Sequence, residues 1–172
     1  MRGLAKEFGI SATINPDGTA DVVLGGTPPL ALVTGGTAQT LATTFASDGT
    51  VSFAVGGTPF VPAGGAMAGR ASALAEMADL QTGLDSLAVS AITLSNTAQA
   101  NGVGNDGSPG QPLFAGTGAG SITLVLGSAD GLATAPAGAP AGSRDTSNLA
   151  ALITALGDAS GPITGTDSLL LS

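Results

Sequence analysis

The residues of this chain that could do chemistry are acidic and amide side chains placed beside glycine. Two turns, at residues 15–18 and 105–107, offer Asn and Asp oxygens of the kind that Ca²⁺ binds. A calcium loop of the EF-hand type needs such oxygens at alternate positions and a closing Glu, and neither turn provides them. Turn formation by the Asn and Asp side chains themselves explains both segments better. The sequence therefore predicts no metal site.

The segment 116–120, Gly-Thr-Gly-Ala-Gly, has the glycine content of a phosphate-binding loop. A dinucleotide-binding loop follows a strand and opens a helix. Here a strand is predicted after the loop, and no Lys stands nearby. We therefore expect neither a nucleotide nor any other cofactor.

Carboxylates on the long predicted helix are the remaining catalytic candidates. Asp79 and Asp85 are six residues apart and point to different faces, whereas Glu76 and Asp79 are typical of a solvated face. A glycosidase pair needs a cleft with aromatic platforms, and the chain has five Phe, no Tyr and no Trp. With no His and few Lys, the serines have no obvious activating base. The sequence predicts no catalytic residues, and a hydrolase using Asp or Glu stays open as an alternative.

The charge balance limits the partners. The chain has 4 Lys and Arg against 12 Asp and Glu, a net charge of −8, which repels phosphate backbones and anionic lipid. The longest apolar run, 122–126, is far too short to span a membrane. Only 9% of residues are charged, which favours a surface that packs in an assembly, although a biased genome composition explains it equally well. We expect no nucleic acid, membrane or small-molecule substrate.

The elements that must position these residues begin with a predicted β-region over residues 1–63. Asp-Gly-Thr at 17–19 and Gly-Gly-Thr-Pro at 25–28 recur 31 residues later. Asp-Gly between alternating apolar residues predicts a hairpin in each copy. One sequence does not decide between duplication and convergence. The predicted inward-facing residues are Ile10, Ala12, Ile14, Ala20, Val22, Leu24, Leu41, Thr43, Phe45, Val51, Phe53 and Val55. With a short strand at 30–33, they predict a small antiparallel sheet with one buried face.

A helical region is predicted over residues 64–172, separated from the sheet by Pro59, Pro62 and two glycines. Its long helix, at 66–101, carries apolar residues in an unbroken 4-3 spacing that ends before Gly102. This seam is either the core face of a helix packed on its own sheet or a coiled-coil surface for other helices. We name it the helix-packing seam: Ala73, Met77, Leu80, Leu84, Leu87, Ala91, Leu94 and Ala98.

After the long helix, the sequence predicts a glycine-rich loop at 102–120, a strand at 121–126 and a short helix at 146–156. The short helix presents a stripe that could cover part of the seam: Leu149, Leu152, Ile153 and Leu156. The tail, 161–172, fits a strand, a frayed helix or a disordered segment. The fold class is therefore α+β, with a β-hairpin region, a long heptad-patterned helix and a smaller helical and irregular C-terminal part.

The spacing in residues 96–114 carries a resemblance. Asn96, Gln99 and Gly102 are followed by Asn-Asp-Gly at 105–107, Gly110 and Leu-Phe at 113–114. This pattern resembles the central part of the bacterial flagellar hook-associated protein 1 family, as do the helix end at 2–11 and the segment 138–148. The chain departs from the family pattern in having Gly at 104, where the family usually has Asp, and Gln at 99, near which the family often has His.

The resemblance implies a central fragment that lacks the family's terminal helical segments. It implies a structural protein of the extracellular flagellum, at the junction between hook and filament. Its partners would be hook subunits, a second hook-associated junction protein and copies of itself. In the family the long helix joins terminal helices in a rod, which favours the coiled-coil interpretation of the seam. The alternative is a Gly/Thr-rich surface adhesin or a phage-tail-like structural module.

Overall fold

A computed structural model describes residues 2–157; the predicted tail at 161–172 lies outside them. The fold class is confirmed, since antiparallel strands precede one long helix and a shorter C-terminal helix. The chain divides into two compact units between Asp79 and Leu80, inside the long helix. The first unit holds the β-region and the beginning of that helix.

The first unit contains a short helix, two four-stranded antiparallel sheets and the start of the long helix. The elements are α1 (Arg2–Glu7), β1 (Ile10–Ile14), β2 (Ala20–Leu24), β3 (Gly26–Thr27), β4 (Leu30–Thr34), β5 (Thr37–Ala38), β6 (Leu41–Phe45), β7 (Val51–Val55) and β8 (Thr58–Pro62). The sheet orders are β1-β2-β4-β5 and β3-β8-β7-β6.

Both predicted hairpins form, β1 with β2 and β6 with β7, in matching registers. The second parts of the sequence repeat differ in structure. Gly56 and Gly57 make a tight turn with φ of 57° and 84°, whereas Gly26 lies in β3. The matching turn in the first half falls instead at Gly35 and Gly36, with φ of 55° and 83°. The two Gly-Gly-Thr-Pro copies, at 25–28 and 56–59, therefore adopt different conformations. Glycine permits both, because it tolerates the left-handed conformation of a tight turn as well as the extended conformation of a strand.

The predicted inward faces of β2 and β7 are buried in the core of this unit, whereas most predicted inward residues of the paired strands β1 and β6 are exposed. Val22, Leu24, Phe53 and Val55 are buried, as predicted. The expected inward positions at the hairpin tips are wrong: Ile14 is 79% and Phe45 73% exposed. Ala12 and Thr43 are exposed as well. The strands reach beyond the part of the unit that other elements cover.

The sequence missed two phenylalanines of the core and three strands of the first unit, β3, β5 and β8. Phe8 follows α1 and meets Phe53 edge-on at a centroid distance of 5.5 Å, and Phe60 is buried beside them. Phe60 lies in β8, where a separator containing Pro59 and Pro62 was expected. The expectation was wrong because proline is tolerated in a strand where its missing N–H is not needed for pairing.

The long helix α2 spans Gly65–Ala100, 36 residues. The second unit continues through β9 (Gly102–Val103), β10 (Phe114–Ala115), β11 (Thr123–Leu124), a 3₁₀ turn at Ala129–Gly131, β12 (Ala135–Pro136) and α3 (Ser147–Gly157). The pairs are β9 with β12 and β10 with β11. The predicted strand at 121–126 is only two residues long, and the loop at 102–120 contains the two strands β9 and β10.

Candidate functional site: two faces of the long helix

One face of α2 binds the irregular chain that follows it. The side-chain oxygen of Asn96 accepts the backbone N–H groups of Leu113 and Phe114 at 2.8 and 3.0 Å, and its amide donates to the Phe114 carbonyl at 2.8 Å. One amide side chain thus satisfies three backbone groups of a segment 17 and 18 residues away. Asn suits this role because its amide both donates and accepts.

Gln99, one turn further along α2, is 4% exposed and fully bonded. Its oxygen accepts the Ala133 N–H at 2.8 Å, and its NH₂ donates to the carbonyls of Gln111 at 3.1 Å and Gly131 at 3.4 Å. Asn148 of α3 completes the cluster by donating to the carbonyls of Ala98 and Ala133. The 96–99–102 spacing of the sequence therefore serves to hold the loops on the helix.

Asp85 binds the glycine-rich segment 116–120. Its carboxylate accepts the Ala119 N–H at 2.8 Å, and a Cβ at Gly118 would lie 2.5 Å from the same oxygen. The segment thus presents backbone N–H to an anion, as a phosphate-binding loop does, but that anion belongs to the protein's own helix. This contact accounts for the glycine at position 118.

Three glycines of the motif at 96–114 approach backbone too closely for any side chain. A Cβ at Gly102 would collide with the Asn148 amide, and one at Gly110 with the Gln99 carbonyl. At Gly104 it would lie 2.5 Å from the Asp130 carbonyl oxygen. Gly104 is the position where the family resemblance leads one to expect Asp, and this chain has no room for it.

The helix-packing seam lies on a different face of α2. At 100° per residue, its direction is roughly 120° around the helix from the face that carries Asp85, Ile92, Asn96 and Gln99. Seam residues of the first half are exposed: Ala73, Met77, Leu80 and Leu84. Seam residues of the second half are partly buried: Leu87, Ala91, Leu94 and Ala98. The structure thus leaves uncovered the half that holds the large side chains Met77, Leu80 and Leu84, which are 64%, 51% and 56% exposed.

The short helix α3 packs beside the C-terminal end of the seam, but not through the expected stripe. A crevice of about 130 Å³ is lined from α2 by Leu94, Thr97, Ala98 and Asn101 and from α3 by Asn148, Ala151, Leu152 and Ala155. Of the expected stripe only Leu152 is at this contact. Leu149, Ile153 and Leu156 are exposed, so α3 turns its smaller residues to α2 because Asn148 must reach the Ala98 carbonyl.

A second apolar groove, of about 340 Å³, lies in the first unit. It is lined by the apolar face of β6 and β7 and by the start of α2: Phe8, Leu41, Thr43, Phe45, Val51, Phe53, Met67, Arg70 and Leu74. Arg70 at its rim is paired with Glu7 at 3.2 Å. Neither this groove nor the α2–α3 crevice is lined by a carboxylate, so neither has the groups for acid–base hydrolysis.

The Asp residues in the repeated hairpin turns are bonded within those turns, which confirms the turn interpretation. The Thr19 hydroxyl donates to Asp17 at 2.7 Å and its N–H at 2.9 Å, and together they lower the pKa of Asp17 below its ordinary value of 3.8. Thr50 lowers the pKa of Asp48 in the same way. Asp106 likewise accepts the Ser108 N–H at 2.9 Å.

Two further observations concern metals and membranes. Within residues 2–157, no three His, Cys, Asp or Glu side chains come together in a way that could hold a metal ion. No helix in that range combines the length and hydrophobicity that crossing a membrane requires.

A family model, the flagellar hook-associated protein FlgK helical domain, matches residues 1–114 of the 172. The chain belongs to the FlgK family. The match takes in the first unit, all of α2 and the segment up to Phe114 that Asn96 binds. No curated protein matches the chain. FlgK-family membership gives it a structural role among the hook-associated proteins of the flagellum, in which assembly with hook components and self-association are family properties.

Proposed function

We propose that this FlgK-family chain is part of the junction between the flagellar hook and the filament, where it acts by subunit packing rather than by chemistry. The observation that carries the proposal is the exposed apolar stripe of Met77, Leu80 and Leu84 on α2. These side chains belong to the same seam as Leu87 to Ala98, which are partly buried.

The stripe is suited to another helix. Its 4-3 spacing is the period at which one helix lies along another, and the small residues Ala73, Ala91 and Ala98 allow close approach. Burying a Met or Leu side chain is worth about 1.5–3 kcal/mol, so three exposed ones favour a partner substantially. The partner we propose is a helix of the flagellar assembly.

The chemistry of the polar residues supports a mechanical role. The buried side chains Gln99 and Asn148 use their donors and acceptors on the protein's own backbone, and within residues 2–157 no buried side-chain nitrogen or oxygen lacks a partner. No buried polar group is therefore left to bind a substrate in that range.

The partners we propose are hook subunits on one side, a second hook-associated junction protein on the other, and neighbouring copies around the ring. The place of action is outside the cell, after export through the flagellar channel. The net charge of −8 and the shortage of Lys and Arg make nucleic acid and anionic lipid poor alternatives.

A gene deletion in the source bacterium tests this proposal. We expect a strain lacking the gene to build hooks without filaments, to release filament subunits into the medium and to lose swimming, with recovery on complementation. Electron microscopy of the cells gives the readout. A deletion strain with normal filaments would contradict the junction role.

A further inference from the structure

The two sheets of the first unit each have one short edge and one long, unprotected edge. The short edges are β3 and β5, of two residues each, and the long edges are β1 and β6, of five residues each. Edge strands of natural proteins are normally protected by charge, proline, a bulge or a covering element. Ile-Ser-Ala-Thr-Ile in β1 and Leu-Ala-Thr-Thr-Phe in β6 contain neither charge nor proline.

Both edges are also uncovered. In β1 every residue from Ser11 to Ile14 is exposed, and in β6 every residue from Ala42 to Phe45 is exposed. Within the described residues each strand pairs with a single neighbour, β1 with β2 and β6 with β7. Each therefore presents a free row of backbone donors and acceptors on its outer side.

We propose that β1 of one copy adds as an antiparallel strand to β6 of the next, joining the two four-stranded sheets into one. Pairing Ile10, Ala12 and Ile14 opposite Phe45, Thr43 and Leu41 places the large apolar side chains of both strands on one face, as register requires. The 340 Å³ groove beside Phe45 lies on that same face and accommodates the side chains of an added strand.

A second copy is the occupant that the chain itself supplies. The two edges have equal length, the same alternation and no charge, so a protein with net charge −8 meets no like-charge repulsion along this contact. Different surfaces meet in the two copies, so the contact is head-to-tail and generates a ring or an open helix of copies.

The contact is small. Two paired five-residue strands bury much less than the ~1,200–2,000 Å² of a stable interface, so free copies associate only weakly. The inference rests on the proposed function in one respect, because the flagellar assembly supplies the high local concentration at which the contact forms.

Disulfide trapping tests the contact, since the chain has no Cys. In the proposed register Ser11 faces Thr44. Purified S11C and mass-tagged T44C are mixed under mild oxidation, and the heterodimer is measured over a range of concentrations. The control pair is S11C with S86C, because Ser86 is exposed but lies on α2. We expect several-fold more heterodimer from S11C with T44C; a yield equal to the control would overturn the proposal.

A charged edge provides the second arm. Ile14→Lys in the S11C chain replaces a side chain that is 79% exposed, so the hairpin stays folded, as circular dichroism checks. In the proposed contact this Lys would lie on the apolar face opposite Leu41, where its charge loses water. The variant should reduce the trapped dimer to the control yield, and an unchanged yield would also contradict the contact. This assay uses free protein, so its failure leaves the deletion phenotype intact, and a normal deletion strain leaves the trapping result intact.

Discussion

The side-chain oxygen of Gln99 accepts the backbone N–H of Ala133 at 2.8 Å, across 34 residues of chain. Both residues are buried, at 4% and 5% exposure. This hydrogen bond holds the irregular segment that contains Ala133 against α2. Gln99→Leu leaves the Ala133 N–H and two carbonyls without their partner, and an unsatisfied buried group costs about 1–3 kcal/mol. We expect the urea midpoint of the variant to fall by an amount equivalent to about 2 kcal/mol or more.

Gln81→Leu is the matched control for that experiment, since Gln81 is an exposed residue of the same helix. It should change the free energy of unfolding by less than about 0.5 kcal/mol. If Q99L and Q81L unfolded at the same urea concentration, Gln99 would not hold the loops.

Gly104 tests the close packing of the loop. Gly104→Ala places a Cβ 2.5 Å from the Asp130 carbonyl oxygen, which is backbone and yields little. We expect a loss of about 1–3 kcal/mol, the usual cost of overpacking. Gly120→Ala, with open space around its Cβ, should be nearly neutral. Thermal melts of both variants give the comparison; equal melting temperatures would show that Gly104 is not confined.

The two phenylalanines of the β6–β7 hairpin test whether burial, rather than the alternating sequence pattern, determines the cost of a substitution. Phe53 is 5% exposed and Phe45 is 73% exposed, although the alternation places both on one face. Phe53→Asp should unfold the first unit, because it removes a core aromatic, worth about 3–5 kcal/mol, and buries a charge. Phe45→Asp should melt close to the parent. A mild effect of F53D in circular dichroism melts would refute the assigned core.

The turn aspartates predict a specific pH dependence. Since the Thr19 and Thr50 hydroxyls lower the pKa of Asp17 and Asp48 in the folded state, the ionised forms stabilise the protein above the ordinary pKa of 3.8. That stability is lost as the pH falls through the lowered folded-state pKa. In Thr19→Val/Thr50→Val the fall in urea midpoint from pH 5 to about pH 2.5 should be smaller than in the parent. An identical fall would show that these hydroxyl bonds do not contribute.

The sequence predicted the parts of the fold that local patterns determine. Asp-Gly turns gave both hairpins because the turn chemistry is confined to a few neighbouring residues, and the 4-3 spacing gave α2 to within one residue at each end. The exposure of Ile14 and Phe45 was not predictable, because alternation identifies a face but not how far along the strand another element covers it. Phe8 and Phe60 joined the core through contacts distant in sequence.

The site was predicted in part for the same reason. The spacing of Asn96, Gln99 and Gly102 was visible, but its function depends on Leu113 and Ala133, which only the folded chain brings to the helix. Likewise, the partner of the 116–120 loop, Asp85, lies 34 residues before Ala119. The residues of the helix-packing seam were assigned from spacing alone, and their role in assembly stays a prediction.

The central claim is that the exposed part of this seam packs in the flagellum. The most direct test complements the deletion strain with the gene carrying Leu80→Asp and Leu84→Asp, and with a control carrying Gln81→Asp and Ser86→Asp. All four positions are exposed, so both purified chains should melt like the parent. Swimming and filament number are then measured. The account predicts that the control restores both and the seam variant neither; full recovery with the seam variant would contradict it.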